Sequence, residues 1–139
     1  QRWYLTGYVV GDRKIKTYAL DRVRAMRVLP GTFAEDPGFD PEEYFRYSFG
    51  VVFTEGPVHR VVLKTSPQEA KYLRALPLHH SQEEAVHDNY SIFYYRMRIS
   101  PDLVSEILSH GPRVEVLEPP ALRAQVRAEL QEALRAYES

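Results

Sequence analysis

The sequence predicts an α+β protein with a strand-rich first third, a strand–helix–strand–strand–helix–strand unit and a terminal helix. Three observations carry that expectation. Aromatic and β-branched segments fill the opening, the same helix-start signal appears three times through the middle, and an apolar stripe of helical spacing closes the 139-residue chain.

The opening "RWYLTGYVV" reads as a strand, and "GDR" supplies turn chemistry after it. "KIKTYAL" alternates, with Lys14, Lys16 and Tyr18 on one face and Ile15, Thr17 and Ala19 on the other. "RVRAMRVL" follows Asp21 and is expected to continue or bend the strand, so that short bent strands build part of a small barrel. An acidic loop comes next.

Helices are then marked by a cap, a proline and an acid. Asp40, Pro41 and Glu43 open the first, while Ser66, Pro67 and Glu69 make a full capping box for the second. Ser100 and Pro101 open the third, with Gly111 placed for its C-terminal cap. Leu122, Val126, Leu130, Leu134 and Tyr137 form the stripe of the terminal helix. "VHRVVLKT", "EEAVHD", "SIFYYRMRI" and "PRVEVLE" read as strands, the middle pair joined by the turn Asn89-Tyr90. That order is the split βαβ, ferredoxin-like arrangement. The break falls at "TEGP", which predicts domains at 1–55 and 56–139.

Composition narrows the function. The chain is 44% hydrophobic and 27% charged with a net charge of -1, an ordinary globular balance. It has no cysteine, which excludes disulfides and thiolate chemistry. No apolar run reaches membrane-spanning length and no signal-peptide pattern occurs, so neither membrane nor secretion is expected. A start on a strand-like segment without Met predicts a piece of a longer protein. No nucleophile elbow, zinc-protease, phosphate-loop or dinucleotide motif is present, so an enzyme is not expected and no cofactor is implied. His79, His80 and His87, with Asp88 and His110, are the densest group of metal-ligand types. Adjacent histidines on a strand point to opposite faces, so no metal site is expected there.

Charge is unevenly spread. Arg2, Arg13, Lys14, Lys16, Arg22, Arg24 and Arg27 face only Asp12 and Asp21, whereas Glu35, Asp36, Asp40, Glu42 and Glu43 reverse the sign. A locally basic surface recruits anions even on a nearly neutral molecule.

"RWYLTGY" followed by "YALDRVRAM" resembles the WYL domain, with Asp21-Arg22-Val23 at its D-R-I/V element, and "FDPEEYFRYSFGVV" is similar to its short helix. From His59 onward, "VVLKTSPQEAKYL", "HHSQ" and "ILSHGPRVEVLEPPALRAQV" resemble the C-terminal extension of that domain, WCX. The resemblance implies a partial Sm-like/SH3-like β-barrel lacking its first strands. A ferredoxin-like βαββαβ domain and a C-terminal helix follow it. It further implies a regulatory part of a bacterial, cytoplasmic transcription regulator. The partners implied are a short single-stranded nucleic acid or nucleotide-like ligand and a second copy of the chain. Contact with DNA runs only through a helix-turn-helix domain absent from this chain.

The ligand residues so implied are Tyr4, Lys16, Tyr18, Arg22 and Arg24. Arginine matches phosphate oxygens and aromatic rings offer stacking faces. Alternation sets Tyr4 opposite Trp3 and Leu5, so Trp3 and Leu5 are expected in the core while Tyr4, Tyr18, Arg22 and Arg24 converge on one patch. The family's Phe-Arg-x-Asp-Arg run is here Tyr18-Ala19-Leu20-Asp21-Arg22, so a methyl stands where an anion-binding side chain is usual. Lys16 and Arg24 are the nearby substitutes. Two other readings stay open: a structural dimerisation module without ligand, and an accessory domain of a nucleic-acid-processing enzyme.

Overall fold

A computed structural model describes residues 3–50 and 53–138. Arg2 of the basic run, and Val51 and Val52 at the end of the short-helix match, lie outside the described residues. Among the described residues the chain is a mixed α/β protein with two antiparallel sheets and four α-helices.

The first sheet is a hairpin of β1 (Tyr4–Val9) and β2 (Lys14–Ala19), in register from Tyr4↔Ala19 to Val9↔Lys14. Its turn closes with Asp12 N–H on Val9 O and Arg13 at a φ of 51°. A 3-10 turn at Leu20–Arg22 follows, held by Leu20 N–H on Trp3 O at 2.9 Å. The expected continuation through "RVRAMRVL" is not a strand: residues 23–35 have no regular structure. No ladder partner for this stretch exists among the described residues, and Met26, Val28 and Phe33 stand in solvent. Trp3 and Leu5 correct a second expectation, being 70% and 57% exposed rather than core. A two-stranded sheet brings no opposing layer that could cover either face.

The second sheet is built by β3 (His59–Thr65), β4 (Glu83–Val86), β5 (Ser91–Met97) and β6 (Val114–Glu118), in the order β4-β5-β3-β6. Neighbours are antiparallel throughout, with a bulge in β3 against β6 between Val62 and Leu63. Helices α2 (Pro67–Ala75) and α3 (Pro101–Ser109) connect the strands, and α4 (Pro120–Glu138) closes the chain. Alternation decides what is inside. Val61, Leu63, Phe93, Tyr95 and Met97 send their side chains to the helical layer, where they meet Ala70, Leu73, Leu103, Ile107 and Leu122. The other face carries Arg60 over the Tyr94 ring and Lys64 over the Tyr90 ring.

The caps are where the spacing placed them. Ser100 Oγ accepts from Leu103 N–H at 3.1 Å, and Ser66 Oγ accepts from Glu69 N–H at 3.2 Å. Gly111 ends α3 at a φ of 57°, a conformation that costs other residues more. Asp40 caps the short α1 (Pro41–Phe45) through Glu42 N–H. The capping box at Ser66 is half formed. Ser66 N–H is taken by Arg113 O, which frees the Glu69 carboxylate to turn inward to His110 and Arg113.

His79 and His80 lie in the turn between α2 and β4 rather than on a strand, their rings 4.1 Å apart. Gln82 clamps that turn: its side chain accepts from Leu78 N–H and Tyr95 OH and donates to Leu73 O. Residues after α1 run onto this unit, with Phe49 against the core and Tyr47 O accepting from Arg98 N–H at 2.7 Å. Three of the five stripe residues of α4 are exposed: Leu122 and Val126 are buried, but Leu130 is 50% exposed and Leu134 and Tyr137 stand out further. The sheet and α3 reach only the first turns of this helix.

Candidate functional site

The hairpin register determines which sequence-predicted ligand residues share a surface. Directly opposed residues in an antiparallel pair lie on one face. Leu5 pairs with Tyr18 and Gly7 with Lys16, so Tyr18 and Lys16 share the Leu5 face. Tyr4 pairs with Ala19 on the reverse face, beside the Thr6–Thr17 hydroxyl pair at 3.0 Å. The expected convergence of Tyr4 with Tyr18 therefore fails, because a one-residue offset along a strand inverts the side.

The remaining residues do gather. The 3-10 turn folds the chain back beyond β2, bringing Arg22, Val23 and Arg24 beside Leu5 and Tyr18 around a cleft of about 370 Å³. Arg22 and Arg24 are exposed and, among the described residues, neither has an ion-pair partner. Lys16 stands off from this cleft and donates to Asp12, and that bond raises its ammonium above the ordinary value against a smaller opposing effect of desolvation. Two guanidinium groups, a phenol ring and an apolar floor suit an anion attached to a flat group. Leu5 and Val23 were missed as walls of this cleft, because nothing in strand alternation says where a 3-10 turn will return the chain. Among the described residues no group of three or more His, Asp or Glu side chains is arranged to hold a metal ion.

A second cleft, of about 470 Å³, lies between α2 and α3. Glu69 is buried at its base, with Nδ1 of His110 donating at 2.7 Å and Nε of Arg113 donating to the other oxygen. Burial pushes the Glu69 carboxyl up, but the hydrogen bonds from Arg113 and His110 outweigh it and hold the group below its ordinary value. Helix-start spacing marks Glu69 only as a capping-box residue, not as part of a buried cluster.

The second sheet and its helices define the class of the protein. Residues 57–134 match the family model of the WCX domain, more than half of the chain, and the chain belongs to that family. The resemblance read from His59 onward is borne out over that span. In overall architecture the chain is similar to proteasome accessory factor B/C (PafBC) of Arthrobacter aurescens, at 23% identity and a TM-score of 0.50. That similarity covers 99% of this chain and 21% of the other, so the chain spans about a fifth of that protein's length. No curated protein matches the chain.

Proposed function

We propose that this chain is the effector-sensing and dimerisation region of a helix-turn-helix transcriptional regulator, binding a short single-stranded nucleic acid or nucleotide-like ligand. In this reading residues 1–55 are the WYL portion, a partial Sm-like barrel, and residues 56–139 are the ferredoxin-like extension with its terminal helix. The strand order β4-β5-β3-β6 with two crossover helices supports the second description. Membership of the WCX family supports a regulatory accessory role rather than a catalytic one. Among the described residues no helix is long and apolar enough to cross a membrane, and the proposed regulator works in the cytoplasm.

The observation that carries the ligand reading is the gathering of Tyr18, Arg22 and Arg24 around one cleft, with neither guanidinium group in an ion pair among the described residues. These three are the proposed contacts. Lys16 adds charge at the side, and Tyr4 supports the hairpin from its reverse face. Binding does no chemistry on the ligand; it shifts the balance between two arrangements of a dimer and so of the attached DNA-binding domains.

Fluorescence anisotropy of short labelled single-stranded DNA and RNA at two salt concentrations tests this. Affinity is expected to fall steeply with salt, and Arg22→Ala to weaken it about tenfold while flattening the salt dependence. Arg135→Ala, remote on α4, is the control expected to change little. Binding that ignores Arg22→Ala and Arg24→Ala removes the site. The alternative of a structural dimerisation module draws on Ala19 and on the exposed Leu130 and Leu134 of α4. It predicts a dimer that takes up no oligonucleotide.

A further inference from the structure

The cleft of the hairpin is basic, with no carboxylate among its walls in the described residues. Arg22 and Arg24 both line it, and Leu5, Tyr18, Val23 and Ala25 give the rest an apolar character. Both arginines are exposed, and neither is in an ion pair among the described residues. The charge is also local. Lys16 is engaged by Asp12. Lys14 opposes Val9 at the far end of the hairpin, about 17 Å along the strand from Ala19. Arg27 lies outside the cleft, in the irregular stretch.

A protein that holds the interior of a single strand carries a charged groove that follows several phosphates. This cleft instead offers two cations at one place, within about 370 Å³, the small end of the range for ligand pockets. Given the cleft as a nucleic-acid site, the reading on which this rests, we infer that it takes the end of a strand through a terminal phosphate monoester. An internal phosphodiester has one charge and two free oxygens. A terminal phosphate carries about −1.5 to −2 charges at pH 7 and three acceptor oxygens. Two guanidinium forks match that charge and supply paired N–H donors. The first base then rests on the apolar wall, with Tyr18 as its stacking face.

This narrows the ligand class. Hydrolysis of a phosphodiester leaves a phosphate on one side of each cut, so the cleft reports cleaved fragments rather than any unpaired stretch.

The test is fluorescence anisotropy of the chain with single strands of one sequence that differ only at the unlabelled end. One set ends in a 5′-phosphate, a 5′-methyl phosphate or a 5′-hydroxyl, and a second in a 3′-phosphate or a 3′-hydroxyl. A phosphate end is expected to bind about tenfold tighter than the hydroxyl end, and whichever set shows the preference assigns the polarity. The methyl phosphate, which keeps one charge, should lose most of that gain, a comparison that needs no variant. Arg22→Ala and Arg24→Ala, both at exposed positions, should each bring the preference close to unity, while Lys14→Ala, far from the cleft, should keep it. Equal binding of all ends that still depends on Arg22 overturns the inference and leaves the nucleic-acid reading standing, with the strand interior as the contact. A methyl phosphate as good as the phosphate, or a preference that survives both arginine substitutions, overturns it as well. Binding of no strand removes the inference and the nucleic-acid reading together.

Discussion

Glu69 sits three residues after a serine cap, and its backbone N–H does what that position predicts while its carboxylate does not. The carbonyl of Arg113 reaches Ser66 first, and the carboxylate joins His110 and Arg113 in the interior. Replacing it by Gln leaves a guanidinium and an imidazole without their shared counter-charge. Glu69→Gln is expected to cost about 3 kcal/mol in denaturant unfolding. The pH dependence carries a sign. A carboxyl held below its ordinary value of 4.5 stabilises the fold above that pH, and the contribution is lost as pH falls through the depressed value. Unfolding free energy of the native sequence should therefore drop below about pH 4.5, and Glu69→Gln should flatten that limb. His79 acts on a higher range. Burial first, then the neighbouring His80, push its imidazole below the ordinary 6.5 against the Arg46 carbonyl. The unfolded chain takes that proton more readily, so stability falls as pH drops below 6.5. A His79→Gln variant, its stability measured between pH 5 and 8, should lose that slope.

Caps and alternation made the elements of the second sheet readable, since each needs only residues close in sequence. The Ser100 cap and Gly111 after α3 lie where the spacing puts them, and β3 and β5 fall on segments that read as strands, with their odd-numbered apolar residues turned to the core. What spacing cannot supply is the partner. The stripe of α4 is continuous in sequence, yet only Leu122 and Val126 meet the core. Leu122→Ala is expected to cost about 3 kcal/mol, and Leu130→Ala less than about 0.5 kcal/mol in the monomer. Sedimentation of Leu130→Ala beside the native chain adds a second readout, because loss of a dimer in this variant would assign the exposed half of α4 to a self-contact. The hairpin shows the same boundary. Alternation along β2 alone puts Lys16 and Tyr18 on one face, but Tyr4 lies on the other because cross-strand register is a property of two segments together. Arg22 and Arg24 reach the cleft through a 3-10 turn that no periodicity announces.

Across the molecule, packing is concentrated in one place. Every residue of the buried core cluster lies between Val61 and Val126, whereas the hairpin and the stretch through residue 35 bury little. Native-state hydrogen exchange should therefore be slowest at the amides of β3 and β5. The β1–β2 amides should exchange through an opening that leaves the second sheet closed. Equal protection of both sheets would show that the hairpin opens with the whole. The order of strands has a further consequence. β3 lies at the centre of its sheet but is the first of the four to be synthesised; its neighbour β5 comes only after α2 and β4, and its other neighbour β6 only after α3 as well. On the ribosome this apolar strand emerges with nothing to pair with, and the layer cannot close until β6 has left the tunnel as well. Val61 to Leu63 thus form the segment most in need of a chaperone during translation, although they are the best protected once the sheet has closed.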